Sequence, residues 1–229
     1  MKNLNDYSIE YALLYIQRSL LDAVTPDLRA VVFGLYEDQE CLFLRFYYDG
    51  NVSEEVIEQW SCSITEASAG MNVDCALDDL IERLDFPKPI PFVGLHAGGG
   101  YLAFLRLEPE STKIDPVRRP HLNAMEEDDP YPEAYALLAA SNALLGKVSS
   151  ELRAVAVEVP PGSMLLNIYF FYDGEALPEK IHLWKQAASE IGSCMHPKYS
   201  HVIKIIRIDF PQKISPRGRL AYFRKEPVI

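Results

Sequence analysis

The feature that most constrains this chain is an internal repeat. Arg83-Leu84-Asp85-Phe86-Pro87 returns 124 residues later as Arg207-Ile208-Asp209-Phe210-Pro211. The same offset carries Tyr11-Ala12-Leu13-Leu14 onto Tyr135-Ala136-Leu137-Leu138 and Leu28-Arg29-Ala30-Val31 onto Leu152-Arg153-Ala154-Val155. It also carries Tyr48-Asp49-Gly50 onto Tyr172-Asp173-Gly174 and Trp60 onto Trp184. Tyr11 to Ile90 aligns with Tyr135 to Ile214 without a gap, and roughly a third of the aligned residues are identical, well above chance at one fixed offset. Beyond it the offset falls to 118, so that Gly100, Leu102, Ala103 and Arg106 match Gly218, Leu220, Ala221 and Arg224. The first copy therefore carries six additional residues near Ala97-Gly98-Gly99-Gly100. Two like units of about a hundred residues each are expected, within the usual domain range.

The apolar pattern supplies the elements of each unit. Leu13, Leu14, Ile16, Leu20, Leu21 and Val24 recur at helical spacing and predict a helix over Tyr11–Val24, stopped by Thr25-Pro26-Asp27. Leu28–Tyr36 and Cys41–Tyr48 read as a hairpin, and the second strand is apolar except for Arg45, as expected of a strand covered on both faces. Ser53 caps a helix whose first turn carries Glu54 and Glu55 and whose stripe is Val56, Ile57, Trp60 and Ile64. A third strand lies between Val73 and Phe86, strongest from Leu80, and Pro87 and Pro89 end it. Tyr101–Leu107 is the fourth. The second unit repeats the order, with helices at Pro132–Leu145 and from Pro178 to about Ile191. Its strands are Leu152–Val159, Met164–Tyr172, His201–Phe210 and Arg219–Lys225. The expected fold is α+β: two tandem αββαββ units, 7–108 and 132–227, joined by a proline- and charge-rich linker, 109–131. Each unit is expected to be an antiparallel sheet with two helices packed on it, the pair related by a pseudo-twofold and even able to share one continuous sheet.

Charge is shared unevenly between the copies. Residues 1–115 hold 8 Lys/Arg against 20 Asp/Glu, whereas 116–229 hold 14 against 13. So acidic a half argues against nucleic acid and anionic membrane as partners, and favours a basic partner or solubility alone. No apolar run approaches the roughly 20 residues that span a bilayer, and Met1–Asp6 lacks the apolar core of a secretory signal, so a soluble cytoplasmic protein is expected. The four cysteines, Cys41, Cys62, Cys75 and Cys194, do not align with one another and form no CxxC pair, which reads as reduced thiols. The histidines, His96, His121, His182, His196 and His201, do not align either and show no HxH or HExxH spacing; neither a metal nor a cofactor is expected. His96-Ala97-Gly98-Gly99-Gly100 has the glycines of an anion loop but leads into a strand rather than a helix N-terminus, and the second copy lacks the insertion, so it reads as a flexible hairpin.

The charges kept in both copies include Arg29/Arg153, Asp49/Asp173, Glu55/Glu179, Arg83/Arg207, Asp85/Asp209 and Arg106/Arg224. An enzyme would use Asp49 and Asp85 as paired carboxylates. The structural reading outweighs it: Asp49 precedes a glycine in a turn, and Arg83 and Asp85 share a strand face from which they pair with Arg106. No GxSxG occurs, and no Cys or Ser recurs beside His. Trp60 and Trp184 read as core residues of each helix rather than as binding anchors.

The charges that are not shared point elsewhere. Glu37, Asp38 and Glu40 stand opposite Pro161, Gly162 and Met164 in the second copy; Asp74, Asp78, Asp79 and Glu82 stand opposite Lys198, Val202, Ile203 and Ile206. Packing common to both units cannot require acids that one unit lacks, so these seven are the candidate partner-binding residues. The competing readings are an enzyme working in a cleft between the units and a self-associating structural or regulatory protein. The basic residues of the second unit, such as Lys198, Lys204 and Lys225, are scattered and offer an internal partner to the acidic unit.

Leu20 to Val31, Phe46 to Gly50 and Arg83 to Pro87, and again Leu144 to Val155, Phe170 to Gly174 and Arg207 to Pro211, carry a further signal. This pattern resembles small single-unit bacterial immunity proteins of polymorphic and contact-dependent growth-inhibition toxins. The resemblance implies a non-enzymatic binder that neutralises a cognate toxin in the cytoplasm, and the acidic first unit adds the expectation that the toxin domain is basic. The chain departs from that pattern in being double, with copies that differ in charge, and the doubling favours a monomer that acts as its own dimer.

Overall fold

The computed structural model describes residues 9–36, 41–71, 76–91, 100–108, 125–126 and 131–226. The first unit runs α1 (Ile9–Ser19), β1 (Leu28–Tyr36), β2 (Cys41–Tyr48), α2 (Glu54–Met71), β3 (Ala76–Arg83) and β4 (Tyr101–Leu105). The second runs α3 (Pro132–Ala143), β5 (Leu152–Glu158), β6 (Leu165–Tyr172), α4 (Pro178–Cys194), β7 (Ser200–Arg207) and β8 (Arg219–Phe223). Both units have the αββαββ order expected from the repeat. The first helix is shorter than its apolar period. Leu20 and Val24 are buried although α1 ends at Ser19, because the turn after the helix also enters the core.

Each unit holds a four-stranded sheet, ordered β3-β2-β1-β4 and β7-β6-β5-β8. β1 pairs antiparallel with β2 and with β4, as expected of the hairpin. The expectation of a wholly antiparallel sheet is corrected at β3. It runs parallel to β2 from Cys41↔Ala76 to Tyr48↔Arg83, and β7 runs parallel to β6 in the same way. The cause lies in the connection. Parallel neighbours need a crossover of a dozen or more residues, and the 18-residue α2 and 17-residue α4 supply one. The two sheets remain separate, so the continuous sheet does not form.

One core runs through both units. Val31, Phe33, Leu44 and Phe46 of the first sheet and Val155, Val157, Ile168 and Phe170 of the second join Leu13, Ile16, Trp60, Ala140 and Trp184 from the helices. α1 packs on α2 and α3, and α3 on α4 and β8. Both tryptophans are fully buried in matching settings. Trp60 lies 5.4 Å from the Tyr48 ring and Trp184 5.4 Å from the Tyr172 ring, so the core reading holds.

The opposite faces carry smaller clusters: Ala30, Val32, Phe43 and Tyr47 with Leu84 and Ile90, and Ala154, Ala156, Tyr169 and Phe171 with Ile206, Ile208 and Ile214. The chain after each third strand thus returns over the outer face of its own sheet, which is why β2 and β6 are apolar on both sides. Of the expected linker, only Met125, Glu126 and Tyr131 are described; Met125 is buried and its amide donates to the Cys194 carbonyl at 3.1 Å. No described helix is long and apolar enough to cross a membrane.

Candidate functional site

The shared charges maintain the fold. Arg29 is fully buried on β1. Its Nε and Nη2 donate to Glu108 at 2.6 and 2.8 Å, its Nη1 to the Leu84 carbonyl at 2.6 Å, and its guanidinium sits 5.7 Å from the Phe86 ring. Arg153 repeats this with Glu226, the Ile208 carbonyl at 2.6 Å and the Phe210 ring at 5.8 Å. The arginine of each Leu-Arg-Ala-Val motif therefore holds the Asp-Phe-Pro segment of its own unit. Both Phe-Pro peptide bonds in these segments are cis.

Arg83 donates to Asp85 at 2.9 Å, and Asp85 accepts the Gly50 amide at 2.9 Å; Arg207, Asp209 and Gly174 repeat the geometry. The bond from Arg83, aided by that amide, holds the exposed Asp85 carboxyl below the usual aspartate range, and Arg207 does the same to Asp209. Arg106 pairs with Asp49 at 2.7 Å and Arg224 with Asp173 at 2.7 Å. The expected pairing of Arg83 and Asp85 with Arg106 is thus corrected. β3 ends at Arg83, Asp85 falls in the following turn and folds back on its neighbour, and Arg106 reaches the Asp49 turn instead. Asp49 and Asp85 are each bonded to an arginine; for Asp85 the pairing favours the charged carboxylate and makes a poor proton carrier.

Of the seven candidate acids, Glu37, Asp38, Glu40 and Asp74 lie outside the described residues. Their described flanks meet: Cys41 and Ala76 are register partners at one end of the β2–β3 pair. Asp78, Asp79 and Glu82 lie exposed on β3, an edge strand. They do not share one face. Leu77 and Ile81 pack toward the helices, so alternation sends Asp79 to the helix side and Asp78, Leu80 and Glu82 to the outer side. On that side Asp78 pairs with Arg45. Burial and the nearby Glu82 raise the Tyr47 hydroxyl above its ordinary value.

The acidic surface extends beyond the residues expected. α2 presents Glu54, Glu55, Glu58 and Glu66, all exposed, with no basic residue on the helix; α4 offsets Glu179 and Glu190 with Lys180 and Lys185. Glu54 and Glu58 stand opposite Pro178 and His182, a difference as legible in the aligned copies as the seven already singled out. On the second unit, the counterpart of Asp78 is an exposed Val202, and Lys204 lies 5.0 Å from the Tyr169 ring.

A groove of about 870 Å³ lies between α1 and α3 with β8, lined among others by Tyr11, Tyr15, Arg18, Leu137 and Arg219. Among the described residues that line it there is none of the shared carboxylates, and the one carboxylate, Glu133, is bonded to Arg219 at 2.7 Å. Among the described residues no group of three or more His, Cys, Asp or Glu side chains is placed to hold a metal ion.

The molecule is a tandem pair of small α+β units in which the repeated arginines Arg29, Arg83 and Arg106 and their counterparts bind groups of their own unit, while the unrepeated Asp78, Asp79 and Glu82 lie exposed. The chain belongs to the MafI2 immunity protein family, whose model matches residues 10–108 and again 133–226. The family match is therefore double, like the repeat itself. No curated protein matches the chain.

Proposed function

We propose that the chain is an immunity protein that neutralises a cognate protein toxin by binding it, using the acidic surface of the first unit against a basic toxin domain in the cytoplasm. The observation that carries this reading is the chemical difference between two units of one fold. β3 presents Asp78, Asp79 and Glu82 where β7 presents Val202, Ile203 and Ile206, and α2 is wholly acidic where α4 is balanced. Membership of an immunity protein family supplies the partner class. Acids on an exposed edge strand and its neighbouring helix raise encounter rates with a positively charged partner and discriminate against acidic ones. A non-enzymatic role is supported by the arginine pairs that occupy Asp49, Asp85 and their repeats.

The test is a titration. A toxin domain encoded by a neighbouring gene, or one captured with the purified protein, is assayed for its own activity against rising amounts of that protein. Neutralisation that completes near one chain per toxin, with a co-eluting complex, is the expected result. Inactivation of many toxin molecules by one chain would establish an enzyme instead, and no protection at any ratio would remove the toxin as partner.

A further inference from the structure

We infer that the surface joining the two units is a dimer interface in covalent form, in which each unit finishes the edge strand of the other, and that this surface pairs unlike halves in preference to like ones. The Asp22 amide donates to the Phe223 carbonyl at 3.2 Å, and the Gly146 amide to the Leu105 carbonyl at 2.9 Å. The Lys225 amide donates to the Val24 carbonyl at 2.9 Å, and the Leu107 amide to the Val148 carbonyl at 2.8 Å. Bridges link Val24 with Arg224 and Val148 with Arg106. Under the offsets of the repeat, Asp22 becomes Gly146, Val24 becomes Val148, and Leu105, Arg106 and Leu107 become Phe223, Arg224 and Lys225. Each of these backbone contacts is therefore made twice, with the units exchanged. That is the signature of an isologous interface, in which the same patch serves both partners.

The exchanged segments are the turns that follow α1 and α3. Each lies against the end of the other unit's edge strand, β8 or β4, and satisfies backbone groups that would otherwise face water. The turns need a left-handed residue, and the two copies supply Asp22 at φ 63° and Gly146 at φ 70°. The continuous apolar core adds α1 against α3. None of these four hydrogen bonds and two bridges involves the segment 109–124.

The interface is also marked as unequal. The Lys225 ammonium of the second unit bonds the Gln59 side chain of the first, and Gln59 bonds the Asp22 carbonyl at 2.6 Å. The repeat counterparts of Lys225 and Gln59 are Leu107 and Leu183. Pairing a first unit with another first unit would set Leu107 toward Gln59; pairing two second units would set Lys225 toward Leu183. Either like pair trades a hydrogen bond for a polar group against an apolar one, a device that selects the unlike pair.

The test uses the whole chain with a protease site placed between Glu110 and Asp115. After complete cleavage, the two fragments are expected to co-elute at the mass of the uncut chain, with a denaturation midpoint that now depends on concentration. Two separately eluting, folded fragments would overturn the inference. Gly146→Val puts a branched residue at positive φ; in the cleaved chain it is expected to weaken fragment affinity by about tenfold or more, while the uncut variant stays one species through its linker. Unchanged fragment affinity would contradict the role of the exchanged turn. Mixing differently tagged cleaved chains should yield only first–second pairs in native mass spectrometry. Like pairs at comparable abundance would overturn the selective part.

Discussion

Arg29 and Glu108, 79 residues apart, form a buried double hydrogen bond in which the arginine side chain is 0% exposed and the glutamate 3%. The arginine stands at the start of β1 and the glutamate just past β4, so the pair joins the first and last strands of the unit while the third guanidinium nitrogen holds the Leu84 carbonyl. Arg153 and Glu226 repeat the relation, with the glutamate 18% exposed. A buried ion pair of this kind contributes little over an apolar replacement of both partners, but much over the loss of one.

Arg29→Met should therefore destabilise the chain by about 3–5 kcal/mol, because Glu108 is left buried without its main partner. Arg153→Met should cost less, since water reaches Glu226. Urea denaturation of both variants checks the order. A cost below about 1 kcal/mol for Arg29→Met would show that the clamp does not hold the unit together.

The Asp85 and Asp209 carboxyls are held below the ordinary aspartate value by Arg83 and Arg207 and by the Gly50 and Gly174 amides. A carboxyl lowered on folding stabilises the native state fully above its unfolded value, near 3.9, and loses that contribution as pH falls through the lower native value. Stability should thus decline below about pH 4 in a manner that Asp85→Asn and Asp209→Asn flatten. Thermal midpoints between about pH 2 and 6 test this, and an acid slope unchanged in the double variant would contradict it.

The two tryptophans offer an internal comparison. Trp60 Nε1 donates to the Ala23 carbonyl at 2.9 Å, whereas Trp184 Nε1 is buried without an acceptor among the described residues. Trp60→Phe should cost more than Trp184→Phe by about 1 kcal/mol, the net worth of a buried hydrogen bond, because the volume lost is the same. Equal costs in paired denaturant titrations would refute this.

Much of the fold was legible because the chain states it twice. Residues conserved across the offset mark core and turns: Trp60 and Trp184 are buried in matching aromatic settings, and Asp49 and Asp173 lie in turns bound by Arg106 and Arg224. Two things were not legible. The direction of β3 depends on the crossover made by α2, and local pattern does not report strand direction. The clamp from Arg29 to Glu108 joins residues too far apart in sequence for periodicity to connect. The candidate acids were found by difference between the copies, and the same comparison would have found Glu54 and Glu58 of α2; the split of Asp78, Asp79 and Glu82 between the two sides of β3 follows from register, which the copies do not report.

The central claim is that the acids absent from the second unit serve the partner and not the fold. The most direct measurement is the association rate with the cognate toxin after Glu37, Asp38, Glu40, Asp74, Asp78, Asp79 and Glu82 are changed to Asn or Gln, followed across salt concentration. The variant is expected to fold with stability within about 1 kcal/mol of the parent, since the second unit folds without these acids. Its association rate at low salt should fall by about tenfold or more, with a flatter dependence on salt. An unchanged rate and unchanged salt dependence would contradict the claim and leave the acids as solvated surface.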